Sequence, residues 1–404
     1  MTDERIIDKF LNRKCKIGNI DIKCIDILFF VCVSVLAVLV RAKLYPLSSA
    51  DYTGFLEPWM AEIRKYGAFR SLKYEISNYS SSYMYLMGLV SGANNILYAL
   101  KNVSLVFEFS AAVAAMFIVY CLTNSSTKAI LGYSLLILCP TVLIDGSWWC
   151  QCDIIYTSFI LWSLYFFFKN KGEACWIFIG LAFSFKLQTL FIIPFFIIMW
   201  LKNKNMKLYY VLIVPIVYII MQVPATIAGR PLKDLLLIYF DQAGYYPWGT
   251  LEYPNAYVFV DELMPNARYA DWICPAGTIL TIALLGILAY VLYSVKFEVT
   301  GERAILIAMF TVMLCVYFLP HMHERYGFLV DLLGIIYVII KPKRFWVLIG
   351  LVMVSVVSYM PYLIGARIFE MKTVATVLLG LIAFIGYDLF SSIRQDTNPS
   401  SIEA

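Results

Sequence analysis

Ile25-Asp26-Ile27-Leu28-Phe29-Phe30-Val31-Cys32-Val33-Ser34-Val35-Leu36-Ala37-Val38-Leu39-Val40-Arg41-Ala42-Lys43-Leu44 decides the fold class. It is an apolar run of the length, about 20 residues at 1.5 Å each, that crosses a hydrocarbon core as a helix. Arg5, Lys9, Arg13, Lys14, Lys16 and Lys23 precede it, and no small-residue cleavage site follows. It therefore reads as a retained span with its basic leader in the cytoplasm, not as a signal peptide. Similar segments recur at 82–100, 103–122, 129–144, 154–168, 174–200, 209–227, 272–295, 304–319, 327–340, 346–364 and 373–389.

With 61% hydrophobic and 15% charged residues among 404, and a mean hydropathy of +0.77, the chain carries too little charge for a soluble domain. The expected fold is an all-α polytopic membrane protein with roughly 11–13 transmembrane helices. Clusters at Lys202, Lys204 and Lys207, at Lys296 and Arg303, at Lys341, Lys343 and Arg344, and at Arg394 mark cytoplasmic loops and a cytoplasmic C-terminus. Two long loops, 41–79 and 229–271, then lie outside, each with a surface-helix pattern. The expected organisation is a tail at 1–24, an N-terminal membrane module at 25–228, the second outer loop, a C-terminal membrane module at 272–392 and a tail at 393–404. Counting spans as a simple zigzag puts Ser147 to Asp153 inside and Lys169 and Lys171 outside, against the charge rule. A break of the 174–200 segment near Lys186, which its length and Pro194 permit, would reverse that.

The net charge of +5 is accounted for by cytoplasmic loops, so no nucleic-acid partner is implied. The ten cysteines are scattered, with Cys150 and Cys152 the only close pair, and they form no disulfide framework or zinc spacing. No metal or cofactor is expected.

Polar residues among apolar ones carry the chemistry. His321-Met322-His323-Glu324-Arg325-Tyr326 holds both histidines of the chain beside a carboxylate and a guanidinium. Such a cluster at a span mouth can bind an anion such as a lipid phosphate, or else anchor a loop among headgroups. Lys186, flanked by Phe185 and Leu187 with Gln188 nearby, must snorkel or meet an anion. Asp51 stands before a helical pattern of Phe55, Trp59, Met60 and Ile63. It either caps that surface helix or takes a proton from an attacking hydroxyl. Asp145, Trp148, Trp149, Gln151 and Asp153 mix indoles with carboxylates and an amide, as sugar sites do and as an interfacial belt also does. Tyr79, Tyr83 and Tyr85 suit interfacial anchoring or sugar contact. The second outer loop holds a helix pattern at 231–242, then Tyr245-Tyr246-Pro247-Trp248 and Pro254-Asn255-Ala256-Tyr257, suited to a lid or acceptor groove.

In their order along the chain, Asp51 to Trp59, Asn78-Tyr79, Trp149 to Asp153, Phe183 to Gln188, Pro254 to Tyr257 and His321 to Tyr326 resemble the polytopic GT-C glycosyltransferases that use lipid-phosphate sugars. The nearest likeness is to bacterial PIG-V-like mannosyltransferases. A more distant one is to the dolichyl-phosphate-glucose-dependent glucosyltransferases. Two departures stand out: Ser80-Ser81-Ser82 replaces a proline-rich approach to the second span, and Cys150 replaces a glycine before the Gln-x-Asp element. The resemblance implies a multi-pass enzyme, expected in a bacterial plasma membrane with its site facing outward, in which Asp51 is catalytic. His323 and Arg325, joined by Lys186, would hold the donor phosphate. Trp149, Gln151, Asp153, Glu324, Tyr79 and Gln188 would contact sugar or acceptor. The implied partners are a polyprenyl-phosphate sugar, a glycan, glycolipid or protein acceptor, and membrane lipids. Two other classes share the many spans: a lipid-linked-glycan flippase, which predicts symmetry between halves that is not seen, and a lipid-diphosphate-dependent ligase or polymerase.

Overall fold

The computed structural model describes residues 11–17, 20–202, 207–243, 248–263 and 272–397. Arg5, Lys9, Lys204, Tyr245 to Pro247, the segment 264–271 and the end of the C-terminal tail at 398–404 lie outside the described residues.

An antiparallel hairpin of β1 (Lys14–Ile17) and β2 (Ile20–Lys23) feeds the first span, α1 (Cys24–Leu44). Arg41 belongs to the last turn of α1 and is buried, so the first outer loop begins after Leu44 and not at Arg41. That loop carries a π-helical turn, Tyr52–Leu56, running into the expected surface helix α2 (Glu57–Tyr66). Met60 and Ile63 turn its apolar face into the core while Phe55 stays 45% exposed.

The next two apolar segments divide differently from the sequence expectation. Helix α3 (Ser81–Val90) is only ten residues long, and the chain turns at 91–95 before the long α4 (Ile96–Thr123). Asn95 sets that boundary by accepting a 3.0 Å hydrogen bond from the Tyr98 backbone N–H, which satisfies one of the helix's free donors. Both ends of α3 stay near the first outer loop, since Arg64 of α2 donates to the Ser91 and Ala93 carbonyls. At ten residues α3 is a half-span, too short to cross a hydrocarbon core, which is why zigzag counting fails.

The chain continues through α5 (Ser126–Ile137) and, after a bend of 44°, α6 (Pro140–Leu143) with a π-helical turn Ile144–Trp149. Then come α7 (Asp153–Phe168) and α8 (Gly172–Phe185). At Lys186 the backbone is extended, and the chain folds back through a 3₁₀ turn, Leu187–Ile192, into α9 (Ile193–Lys202). Trp176 and Phe196, ten residues to either side of Lys186, meet with ring centroids 5.3 Å apart, so the chain reverses at Lys186 and α9 runs back along α8. Pro194 sits at the start of α9, where a missing N–H costs nothing. Next is α10 (Ile213–Ile227), which approaches α8 at Gly180, where a Cβ would lie 2.7 Å from Val217 Cβ. Such close backbone approach is how helices associate in lipid, where apolar burial offers no driving force.

The second outer loop contributes α11 (Leu232–Ala243), β3 (Thr250–Leu251) and α12 (Tyr257–Leu263). The remaining helices are α13 (Cys274–Ser294), α14 (Gly301–Phe318), α15 (Phe328–Ile340), α16 (Phe345–Ile364) and α17 (Met371–Thr397). Helix α14 is 78% buried and lies in the middle of the bundle, whereas α1 and α13 are 22% buried and form its apolar, lipid-suited rim.

Among the described residues, seven helices are long and apolar enough to cross a membrane, and the bent pair makes an eighth. Four further apolar helices, Asp153–Phe168, Gly172–Phe185, Leu187–Lys202 and Phe328–Ile340, are shorter than that. The chain is an all-α, multi-pass integral membrane protein.

The basic residues gather at one end. Lys202 donates to the Val295 carbonyl at 2.6 Å, Lys341 pairs with Glu302 at 2.8 Å and Asp388 at 2.9 Å, and Arg303 reaches the Ser392 carbonyl. Cys121 lies against Phe168, and Leu122 against Gly301, so the turns before α5 and after α7 share that end. Lys169 and Lys171 therefore sit with the cytoplasmic-type loops and Ser147 to Asp153 at the opposite end, the reverse of the zigzag count.

Candidate functional site

The four shorter helices have one thing in common: each has an end at the pole opposite the basic loops, at Asp153, at Lys186 for both α8 and the returning Leu187–Lys202 helix, and just after Arg325. At 13 to 16 residues for the three continuous ones, they span about 20–24 Å against a hydrocarbon thickness of about 30 Å. Their ends form a sunken floor between the longer helices, and the polar residues singled out in the sequence meet there.

Asp51 enters that floor from the first outer loop. Its side chain makes no cap hydrogen bond to the helix that follows. Ser49 does the capping, accepting from the Tyr52 N–H at 3.2 Å and donating to the Trp149 carbonyl at 2.7 Å. The capping reading of Asp51 is thereby removed. Its Oδ2 instead accepts from Trp149 Nε1 at 2.9 Å and from Gln151 Nε2 at 2.6 Å. Oδ1 makes no hydrogen bond among the described residues, and the residue is half-buried.

Gln151 extends the line, because its Oε1 accepts from Arg325 Nη1 at 2.9 Å. The same nitrogen reaches Asp153 Oδ2 at 2.7 Å, and Arg325 Nε bonds Glu324 Oε1 at 2.8 Å. The other oxygen of Asp153 takes Lys186 Nζ at 2.5 Å. Asp153 is wholly buried and, like Asp51, is no cap: its two oxygens carry two cations from distant segments. The anion that Lys186 meets in the folded chain is thus Asp153. Each cation keeps donors in reserve, Arg325 its Nη2 and Lys186 the rest of its ammonium, among the described residues.

Arg325 also lies 5.2 Å from the Trp149 ring, and Lys186 lies 5.7 Å from Tyr156 and 5.9 Å from Tyr326. His323 borders the cluster, with Nδ1 3.6 Å from Glu324 Oε2 and its ring 5.2 Å from that of Tyr326. Burial alone would raise the Glu324 carboxyl, but the Arg325 guanidinium and His323 outweigh it and hold it below the ordinary glutamate range. Gln188 lies beside Tyr326, and Tyr79 flanks Arg325 and Asp153 without bonding them. Seven of the ten predicted residues thus join one hydrogen-bonded network, while His323, Tyr79 and Gln188 line it.

The loop that carries Arg325 is held by the second outer loop. Strand β3 pairs in parallel with β4 (Met322–His323), Glu324 N–H donates to the Leu251 carbonyl at 2.9 Å, and His321 N–H to that of Gly249 at 3.0 Å. Asn255, fully buried, donates to the Gly249 carbonyl at 3.1 Å and accepts from Tyr257 N–H at 3.1 Å. The Pro254-Asn255-Ala256-Tyr257 stretch is a fastener for the site loop. Residues Tyr245 to Pro247 of the expected lid lie outside the described part.

Ser80 to Ser82 and Cys150, where the sequence departs from the pattern it resembles, have local explanations. Cys150 has φ +66°, the left-handed region where glycine is least strained. Ser80 donates to the Ser184 carbonyl at 2.5 Å and Ser81 to Gln222 of α10, tying α3 to the helix ends around Lys186. Burial pushes the Cys150 and Cys152 thiols up to about 12, which leaves neither as a thiolate nucleophile at neutral pH.

Two features escaped the sequence reading, and a third, Asp145, enters it only as one carboxylate of a mixed segment. Arg41 and Glu108 form a 2.5 Å ion pair, each 1% exposed, between α1 and α4. Lys101, buried, donates to the carbonyls of Tyr45 and Leu47 at 2.9 and 2.6 Å, fixing the segment that leads to Asp51. Asp145 is fully buried with neither carboxylate oxygen hydrogen-bonded, within electrostatic range of Asp153, Arg325 and Lys186. Charge inside an apolar run is the signal all three share, and it was visible.

The fold and the buried charge network define a multi-pass membrane protein with a polar site recessed at one pole. No protein-family model matches the chain, and no curated protein matches it.

Proposed function

We propose that this chain is an integral-membrane glycosyltransferase of the GT-C type that moves a hexose from a polyprenyl-phosphate carrier to a hydroxyl on a second substrate. The observation that carries this reading is the unbroken line Asp51–Gln151–Arg325–Asp153–Lys186, which sets a carboxylate with one open oxygen beside two cations with spare donors.

In this scheme Asp51 Oδ2 is held by Trp149 and Gln151, and Oδ1 receives the proton of the acceptor hydroxyl as its oxygen attacks the anomeric carbon. The bond from that carbon to the phosphate oxygen breaks, with inversion, and the electron pair leaves on the polyprenyl phosphate. A phosphate needs charge support on leaving instead of a proton, and Arg325 Nη2 with the Lys186 ammonium supplies it. His323 at the rim adds a donor to the same anion.

The charge rule puts the basic end in the cytoplasm and the site outside, where nucleotide sugars are absent and lipid-linked donors are at hand. A bacterial plasma membrane is the setting that fits the family likeness. The test is transfer by the purified protein from a panel of polyprenyl-phosphate hexoses, with nucleotide sugars as the comparison. Transfer from a nucleotide sugar without any lipid carrier would overturn the reading.

A further inference from the structure

Four aromatic rings form a ladder from the surface helix down to the charged floor. Phe55 and Trp59 lie 5.8 Å apart, Trp59 and Tyr79 5.7 Å, and Tyr79 and Tyr83 5.3 Å. Exposure falls along it, from 45% at Phe55, through half-buried Trp59 and Tyr79, to 5% at Tyr83. The ladder runs between the first outer loop and the half-span α3, and its Tyr79 rung flanks Arg325 and Asp153. None of the mechanism's steps uses it.

Its polar atoms say what it is built for. Trp59 Nε1, Tyr79 Oη and Tyr83 Oη make no hydrogen bond among the described residues, and none of the three is sealed from water, so each is open to a ligand's polar groups. A slot for an isoprenoid tail would leave all three without partners once the tail excluded water. A sugar ring satisfies both halves of each side chain, with its C–H face on the aromatic plane and its hydroxyls on the N–H and O–H groups.

We propose that Trp59, Tyr79 and Tyr83 form the acceptor subsite and that the acceptor presents a carbohydrate ring there. This rests on the glycosyl-transfer reading above and narrows its acceptor to a glycan or glycolipid. Trp59 follows Asp51 on the same helical segment, so a ring held on the ladder is delivered by the element that carries the base. Asn78, next to Tyr79, is bonded through its carbonyl by Gln242 of α11, which ties the subsite to the second outer loop.

The experiment is saturation-transfer NMR on the full chain in detergent, titrated with methyl mannosides and methyl glucosides of both anomeric forms, with farnesyl phosphate as competitor. At least one glycoside should bind the wild type and Asp51→Asn alike, and Trp59→Ala should raise its Kd by about 3- to 10-fold. Tyr79→Phe, which keeps the ring and the fold, should raise it by about 5-fold through loss of the hydroxyl alone. Absence of glycoside binding to the wild type, unchanged affinity in both variants, or displacement by farnesyl phosphate with no effect of Tyr79→Phe would overturn the proposal. Glycoside binding without any transfer would retire the transferase reading and keep the subsite. Transfer to a sugar with a KM indifferent to both variants would do the opposite.

Discussion

Gln151 and Asp51, one hundred residues apart, are joined by a 2.6 Å hydrogen bond from Nε2 to Oδ2. Because the Gln151 Oε1 is committed to Arg325, the amide has one orientation, and it couples the position of the base to that of the guanidinium. Gln151→Glu puts a carboxylate where Asp51 needs a donor. Turnover should fall by at least 10², the scale of a lost general-base geometry, with the fold retained by circular dichroism. Near-normal turnover in Gln151→Glu would remove the coupling.

Asp153 pairs with both Lys186 and Arg325, and since Glu324 still holds Arg325, its removal leaves Lys186 as the stranded charge beside the guanidinium. Asp153→Asn should lower stability by about 3–5 kcal/mol, the usual cost of breaking a buried pair from one side. Adding Lys186→Met should recover part of that loss, since it deletes one stranded charge. Thermal unfolding of the two single variants and the double in one detergent checks this, and strict additivity would contradict it.

The Arg41–Glu108 pair lies away from the proposed chemistry. Arg41→Met should destabilise by about 3–5 kcal/mol, and Arg41→Met with Glu108→Met by less than the sum of the single losses. Specific activity per folded molecule should stay unchanged in the double variant. A fall in turnover without a fall in stability would place the pair in the site.

Asn255 fastens the second outer loop to the Arg325 loop without touching the site itself. Asn255→Ala leaves the Tyr257 N–H without its partner and the Gly249 carbonyl with the His321 N–H alone, and should cost about 1–3 kcal/mol. Donor affinity should drop more than acceptor affinity, because Arg325 is the residue set loose. Equal losses on both substrates would show that the fastener serves the whole recess.

Much of this arrangement was legible in the sequence because lipid makes polar residues conspicuous. Lys186, Asp153 and Arg325 each stand beside long apolar runs, and a charge there needs a partner. What the sequence left open was the pairing, since the residues that meet are dozens to hundreds of positions apart. The span count went astray at 82–122 because hydropathy cannot distinguish a half-span from a full one, and the turn at 91–95 is set by the Asn95 cap. At Lys186 the break was foreseeable, and the chain reverses there since an extended backbone lets both flanking helices point away from the same floor. Arg41 was taken for a loop residue because it sits near the end of an apolar run, and only its burial against Glu108 shows otherwise. The capping alternative for Asp51 could not be closed either, because Ser49, two residues earlier, does that job.

The central claim is that Asp51 takes the acceptor's proton in hexose transfer from a lipid phosphate. Its most direct test compares wild type and Asp51→Asn, purified and matched in thermal stability, for transfer from a polyprenyl-phosphate hexose under saturating donor. The account predicts inverted product from the wild type and a turnover lower by about 10²–10⁴ in the variant, with donor affinity unchanged. Equal turnover in the two proteins, or movement of the intact lipid-linked sugar across a bilayer with no transfer by either, would contradict it.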